Sequence, residues 1–212
     1  MRALGTLSRR YTLPDDDDAA RLSSLMDAEL AARARRVRFL SCDVDGVLTD
    51  GRIYVDDRGR EFKAYSALDG VGINLLARAG IVVAWITGSA APSVTHRAQQ
   101  LRVPHVVLDA HDKLTPWQRL RGELGLTAEE CAHIGDDLPD IPLLEACGLA
   151  ATVPHAPAAV RARAHYVTTR DGGMGAVREL ADLILAAQGR GGEAEVRAAQ
   201  LRPPFELARE ER

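Results

Sequence analysis

From Val37 to about Ala187 the chain alternates short β-branched apolar runs with amphipathic stretches. The runs VRFLSC, IVVAWI, VPHVVL, CAHI, LAATV and HYVTT have the length and residue types of buried strands, and helical spacing fills the segments between them. This alternation predicts a Rossmann-like parallel α/β sheet with helices on both faces, because parallel strands need crossovers and the crossovers cover the sheet. Punctuation agrees. Gly80 and Gly125 stand where helices should end, Ser89 is placed to cap the helix that carries Pro92 in its first turn, and Thr127 with Glu130 has capping-box spacing.

One segment breaks the rhythm. After the first strand, GRIYVDDRGREFKAYS alternates polar and apolar residues around Asp56-Asp57-Arg58-Gly59, which predicts a β-hairpin inserted on the rim over about 52–66. The two ends of the chain differ from its middle. Residues 1–35 read as an extension, flexible around the aspartate run Asp15 to Asp18 and then helical through LSSLMDAELAARARR. Residues 36–188 form the predicted domain, and the stretch rich in Gly, Pro and charge at 189–212 reads as a flexible tail.

Composition narrows the class. A chain of 212 residues with 46% hydrophobic residues can bury one proper core. Its net charge of -3 gives no general pull toward nucleic acid or anionic lipid. No apolar run approaches the roughly 18 residues of a membrane span, and the start MRALGTLSRR lacks the apolar core of a secretory signal, so a cytoplasmic protein is expected. Cys42, Cys131 and Cys147 are an odd number at scattered spacings and read as packed, reduced thiols. The six histidines show no paired metal spacing and read as packing or surface residues.

Ligands of open α/β sheets bind beyond the carboxyl ends of the strands. There the sequence places Asp43-Val-Asp45-Gly46, Thr87-Gly88-Ser89, Asp109 followed by Lys113, and Gly135-Asp136-Asp137 with Asp140. Carboxylates of Asp43, Asp45 and Asp136 gathered within a few ångströms would repel one another by about 4 kcal/mol per pair at an effective dielectric near 20, so a cation is required. All-oxygen ligands favour Mg²⁺, with Lys113 as a second, fixed positive charge. A phosphate dianion fits among the metal, the lysine, the Thr87 hydroxyl and the backbone N–H groups that open the helix after Gly88. Asp43, at the strand end, is the candidate nucleophile, and Asp45 is the candidate acid and base. Asp50 reads as a turn residue before Gly51, and Cys42 should point to the opposite side of the strand.

In that order DVDGVLTDG, ITGS, the lysine of AHDKL and GDDLPD resemble the four motifs of the haloacid dehalogenase superfamily of phosphatases. Within it, IYVDDRGREFKAYSALDGVGI and GGMGAVRE are similar to the capless 3-deoxy-D-manno-octulosonate 8-phosphate phosphatase family, which has no separate cap domain. The resemblance implies Mg²⁺ held by Asp43, Asp45 (through its backbone) and Asp136, with Asp137 and Asp140 in or near the surrounding shell. It implies a phosphorylated sugar acid as substrate, met by Gly88, Ser89, Lys63, Asp69, Gly70, Arg97 and Arg178, and a homotetramer in which one subunit's hairpin helps close its neighbour's site.

This chain departs from the family at Ser89, where members usually carry an arginine that meets the sugar acid. Serine has neither the charge nor the fork of a guanidinium; Lys63, Arg97 or Arg178 could compensate, and each reads equally well as an exposed helix or strand charge. The expected reaction is hydrolysis of 3-deoxy-D-manno-octulosonate 8-phosphate in lipopolysaccharide precursor synthesis, with another sugar or nonulosonate phosphate as the alternative. Two other classes remain on residues alone. A receiver domain also gathers acids, a Thr or Ser and a Lys, but Asp45 supplies a base that a receiver lacks; a non-catalytic oligomeric protein would not need Asp43, Asp45, Lys113 and Asp136 together.

Overall fold

A computed structural model describes residues 26–190. All six expected strands form, as β1 (Phe39–Cys42), β4 (Val82–Ile86), β5 (His105–Val107), β6 (Cys131–Ile134), β7 (Leu149–Thr152) and β8 (Tyr166–Val167). They make one parallel sheet in the order β5-β4-β1-β6-β7-β8. β1, β6 and β7 are buried along their whole length, which is why their sequences are continuously apolar rather than alternating. The hairpin forms too, as two-residue antiparallel strands β2 (Tyr54–Val55) and β3 (Glu61–Phe62), with Gly59 at a φ of 73° in the turn. Among the described residues this hairpin is the sole insertion between β1 and the first crossover helix, and no separate cap domain is present.

The helices are α1 (Ala28–Arg36), α2 (Ala67–Arg78), α3 (Pro92–Leu101), α4 (Leu114–Glu123), α5 (Ile141–Ala146), α6 (Ala158–Arg161) and α7 (Ala176–Ala187). Local chemistry starts them. The Asp27 carboxylate accepts the Leu30 N–H at 2.7 Å, and three arginines fill the last turn of α1, each charge opposing the helix dipole at its end. α1 and α2 pack with α7 and α3 packs against α2, forming one group, and α4 packs with α5 as another. Right-handed crossovers put the two groups on opposite faces of the sheet. Gly80 and Gly125 end α2 and α4 at positive φ, as expected, and Thr127 closes its capping box with Glu130 over a single 3₁₀ turn.

Ser89 does not cap α3. The cap residue is Ala91, with Pro92 at the first helical position, while the Ser89 hydroxyl accepts the Ala91 N–H at 3.2 Å in the preceding turn. Proline suits that position because its absent N–H would be unpaired there and its fixed φ starts the helix. The expected tails lie outside the described residues except for their inner edges. The three cysteines are free and buried.

The sheet order sets the site. From β1 the chain builds outward through β4 to β5, then returns past β1 to β6 on its other side. The crevice of such a sheet lies at the carboxyl end of the central strand, where the loops part in opposite directions. Register brings the motifs there together: Cys42 pairs with Ile134 of β6 and with Trp85 of β4, so Asp43, Asp136 and Thr87 leave adjacent strands near one level.

Candidate active site

A cavity of about 510 Å³ opens at that crevice and is lined by Asp43, Asp45, Lys63, Thr87, Gly88, Ser89, Lys113, Asp136, Asp137 and Asp140, among others. A larger hollow of about 630 Å³ lies at the opposite ends of the strands, around Val37, Gly80 and Ile81. Arginines surround that second hollow, but they serve the scaffold: Arg35 and Arg190 donate to the carbonyls of Ala187 and Ala79, and Arg38 pairs with Glu130. Chemistry is concentrated in the smaller cavity.

Asp43 is held by β1 and buried, and its carboxylate faces Lys113 Nζ at 2.9 Å. Lys113 also reaches Asp140 Oδ1 at 2.7 Å, so one ammonium bridges two carboxylates. Asp140 is fully engaged. Its Oδ1 accepts from Lys113 and His133, and its Oδ2 accepts the N–H groups of Asp136 and Asp137 at 3.1 and 3.3 Å. Asp137 caps the 3₁₀ turn Leu138–Asp140 by accepting the Leu138 N–H at 2.8 Å.

One carboxylate oxygen each from Asp43, Asp136 and Asp140 lies within 4.8 Å of the others. Burial, and then the charge of Asp140, push the Asp43 carboxyl well above the usual range despite Lys113. The same two causes push Asp136 to about 7. Burial works on Asp140 as well, but His133 and Lys113 outweigh it and hold that carboxyl down at about 2. Asp140 is thus a fixed anion whose bonds are already made, while Asp43 and Asp136 face each other and hold a proton unless a cation replaces it. An all-oxygen pair of this kind suits a hard divalent ion with open positions.

Asp45 lines the same cavity but is not one of the three clustered acids. It lies 2.6 Å from Lys63 Nζ on the hairpin, and Lys63 also meets Glu61 at 2.7 Å. Burial pulls the Lys63 ammonium down, but the two carboxylates raise it further, so it stays charged. Gly46 follows at a φ of 85°, and a Cβ there would stand 2.0 Å from Asp136 Oδ2. Only glycine lets the β1 loop turn back this closely over the acid. Thr87 is buried at the end of β4, and its Oγ1 accepts the Ser89 N–H at 3.0 Å, which leaves its hydroxyl hydrogen free to point into the cavity.

Four expected substrate contacts are placed elsewhere. The Asp69 carboxylate accepts the Arg178 N–H at 2.9 Å, capping α7, and burial pushes it to about 6. Gly70 gives Arg97 room, since a Cβ would stand 2.9 Å from Arg97 Nη2; Arg97 lies over the Tyr65 ring, 6.0 Å from its centre. The Arg178 side chain pairs with Asp182 at 2.8 Å. None of the four lines the cavity. Asp50 is the turn residue expected, accepting from the Arg52 N–H at 3.1 Å and the Tyr54 hydroxyl at 2.7 Å.

Two features escape the sequence reading, and the glycines of GGMGAVRE, which carry part of the family resemblance, gain a packing partner that it does not name. Glu61 lines the cavity beside Lys63, which the alternation of the hairpin does hint at. His133, read as a packing residue, bonds to Asp140. Gly172 and Gly173 lie against the β1 loop: Gly173 donates its N–H to the Val47 carbonyl at 2.9 Å, and a Cβ on Gly172 would stand 1.8 Å from the Gly46 oxygen. Glu179 secures the run into those glycines by accepting from the Tyr166 hydroxyl, the Thr169 N–H and hydroxyl, and the Arg170 N–H.

Comparison with known proteins agrees with this geometry. The model of the haloacid dehalogenase-like hydrolase family matches residues 91–179. A 3-deoxy-D-manno-octulosonate 8-phosphate phosphatase of Yersinia pestis is 44% identical over 160 residues, covering 76% of this chain and 86% of the relative. The corresponding phosphatase of Escherichia coli K12 is 42% identical over 169 residues, 80% of this chain and 90% of the relative. Among solved structures, the Moraxella catarrhalis phosphatase in complex with magnesium, phosphate and KDO superposes with a TM-score of 0.78 at 37% identity, covering 84% of this chain and 100% of that one. With the motif residues gathered on the rim of the same fold, the chain belongs to the 3-deoxy-D-manno-octulosonate 8-phosphate phosphatase family of haloacid dehalogenase-like hydrolases.

Proposed function

We propose that this protein is a Mg²⁺-dependent phosphatase that hydrolyses 3-deoxy-D-manno-octulosonate 8-phosphate to the free sugar acid and phosphate, a step of lipopolysaccharide precursor synthesis. The observation that carries the chemistry is the bridge from Lys113 to Asp43 beside the facing Asp136 carboxylate. Asp43, Asp136 and the Asp45 backbone are the proposed ligands. When bound, the metal neutralises the carboxylates and the charge of the transferring phosphoryl group.

The residues divide the work. Lys113 holds Asp43 Oδ1, so the other carboxylate oxygen attacks phosphorus and the phosphorus–ester oxygen bond breaks. Asp45, released from Lys63 when the sugar carboxylate takes that ammonium and then protonated from solvent, gives its proton to the departing sugar oxygen. The Thr87 hydroxyl and the Gly88 N–H receive the phosphoryl oxygens. Asp45 then takes a proton from water, the hydroxide attacks phosphorus, and Asp43 is released with inorganic phosphate.

Of the three cations considered as substitutes for the missing arginine at Ser89, Lys63 lines the cavity and Arg97 and Arg178 do not. Lys63 is the proposed partner of the sugar carboxylate. The hairpin exposes Ile53 at 77%, Val55 at 56% and Phe62 at 53%, an apolar edge that supports a homotetramer in which the hairpin is covered by a neighbour. No described helix is long and apolar enough to cross a membrane; the proposed setting is the cytoplasm.

Ser89 favours one second reading, a phosphatase for another sugar or nonulosonate phosphate. A panel of phosphorylated sugars and sugar acids ranked by kcat/KM separates the two. The octulosonate ester should lead, and preference for neutral sugar phosphates would overturn the substrate assignment.

A further inference from the structure

Behind the reacting groups a buried polar chain leads from Ser41 through His133 and Asp140 to Lys113 and Asp43. His133 lies in the middle of β6 with 0% exposure, flanked by Ser41 Oγ at 2.9 Å from Nδ1 and Asp140 Oδ1 at 3.2 Å from Nε2. Asp140 then holds Lys113, and Lys113 holds Asp43. Strand geometry puts these groups on one face. Ser41 pairs with His133 in register, and side chains alternate along a strand, so Ser41, His133 and Asp43 share a side while Cys42 and Ile134 point the other way.

Asp140 is an anion that only accepts, so Nε2 of His133 carries a hydrogen toward it in either charge state of the ring. Ser41 Oγ carries a single hydrogen and lies near two acceptors, the Ala132 carbonyl at 3.2 Å and His133 Nδ1 at 2.9 Å. If the hydrogen went to the carbonyl, Nδ1 would be the donor and a neutral ring would turn a bare Nε2 lone pair toward the Asp140 oxygen. Burial lowers the basicity of His133 despite Asp140, which favours the neutral ring. Ser41 therefore donates to Nδ1, and Nε2–H donates to Asp140.

We infer that His133 is a positioning residue for phosphoryl transfer: its Nε2–H fixes the Asp140 carboxylate that aims Lys113 at Asp43, and Ser41 fixes the tautomer. Without that donor, Asp140 Oδ1 has a buried lone-pair position to fill and shifts toward Lys113, drawing the ammonium off Asp43. The inference rests on Asp43 as nucleophile but is independent of the sugar acid.

The test compares His133→Leu and His133→Gln with wild type on p-nitrophenyl phosphate and Mg²⁺, so that it stands even if the octulosonate assignment falls. The glutamine amide can place an N–H where Nε2 stands; leucine cannot. His133→Leu should lower kcat roughly 10- to 100-fold with KM little changed, and His133→Gln should recover most of the loss. Equal kcat in the two variants, or wild-type kcat in His133→Leu, overturns the inference. Should His133→Leu fail to melt cooperatively, Ser41→Ala replaces it, since it removes the tautomer lock at small cost in volume. A fall in kcat there supports the inference, and wild-type kcat overturns it.

Discussion

At the scale of single residues, the site turns on how few cations serve many carboxylates. Lys63 answers both Asp45 and Glu61 and faces the same cavity. A carboxylated substrate adds a third claim on that ammonium. A charge-assisted bond in such a place contributes about 1.5–3 kcal/mol, tenfold or more in affinity. Lys63→Ala should therefore raise KM for the octulosonate ester about tenfold or more, with a smaller effect on p-nitrophenyl phosphate, which has no carboxylate. Equal losses on both substrates would contradict this role. The residues that follow strand ends, Asp43, Thr87, Lys113 and Asp136, were legible because the fold's own rule says where to look. Asp69, Gly70, Arg97 and Arg178 were not placed by such a rule. Their surroundings depend on how α2 meets α3 and α7, a long-range packing that no local spacing encodes. A lone histidine inside CAHI likewise reads as core until its partners on β1 and beyond the Gly135 turn are known.

At the scale of elements, the loop after β1 is pressed from behind by the glycine segment that leads into α7. Gly172→Ala would drive a methyl group to 1.8 Å from the Gly46 oxygen, so the loop carrying Asp45 must move. Overpacking of this kind costs about 1–3 kcal/mol, and kcat should fall with stability. Gly122→Ala in α4 is the control. A Cβ there meets nothing within 4 Å, so alanine should be neutral or stabilise by up to about 1 kcal/mol through helix propensity. Thermal melts of the two variants check both, and similar melting for both would contradict the packing account. Strand and helix identity was legible from periodicity, whereas this contact between segments more than a hundred residues apart was not. The hairpin was legible as alternation, yet its paired part is only two residues per strand.

At the scale of the whole molecule, the crowded acids link stability to pH and to the metal. Asp136 is raised to about 7, chiefly by burial and Asp140. A carboxyl whose folded pKa is raised stabilises fully below its ordinary range, and that contribution is lost as pH rises through about 7. Asp69, at about 6, acts with the same sign but lies away from the cavity. A cation takes the place of the proton between Asp43 and Asp136, so its affinity rises as the proton leaves. Magnesium should raise the melting temperature more at about pH 8 than at about pH 6, and Asp136→Asn should remove most of that difference. Equal shifts at both pH values would argue against the assignment of the metal to these acids.

Rapid-quench measurement of the phosphoryl-enzyme in Asp45→Asn, with radiolabelled substrate, is the most direct test. If Asp43 carries the phosphoryl group and Asp45 activates water, label should accumulate on Asp43 in that variant, and Asp43→Asn should lose turnover by roughly 10³-fold or more while remaining folded. Label on no aspartate, together with near-normal turnover of Asp43→Asn, would contradict the account.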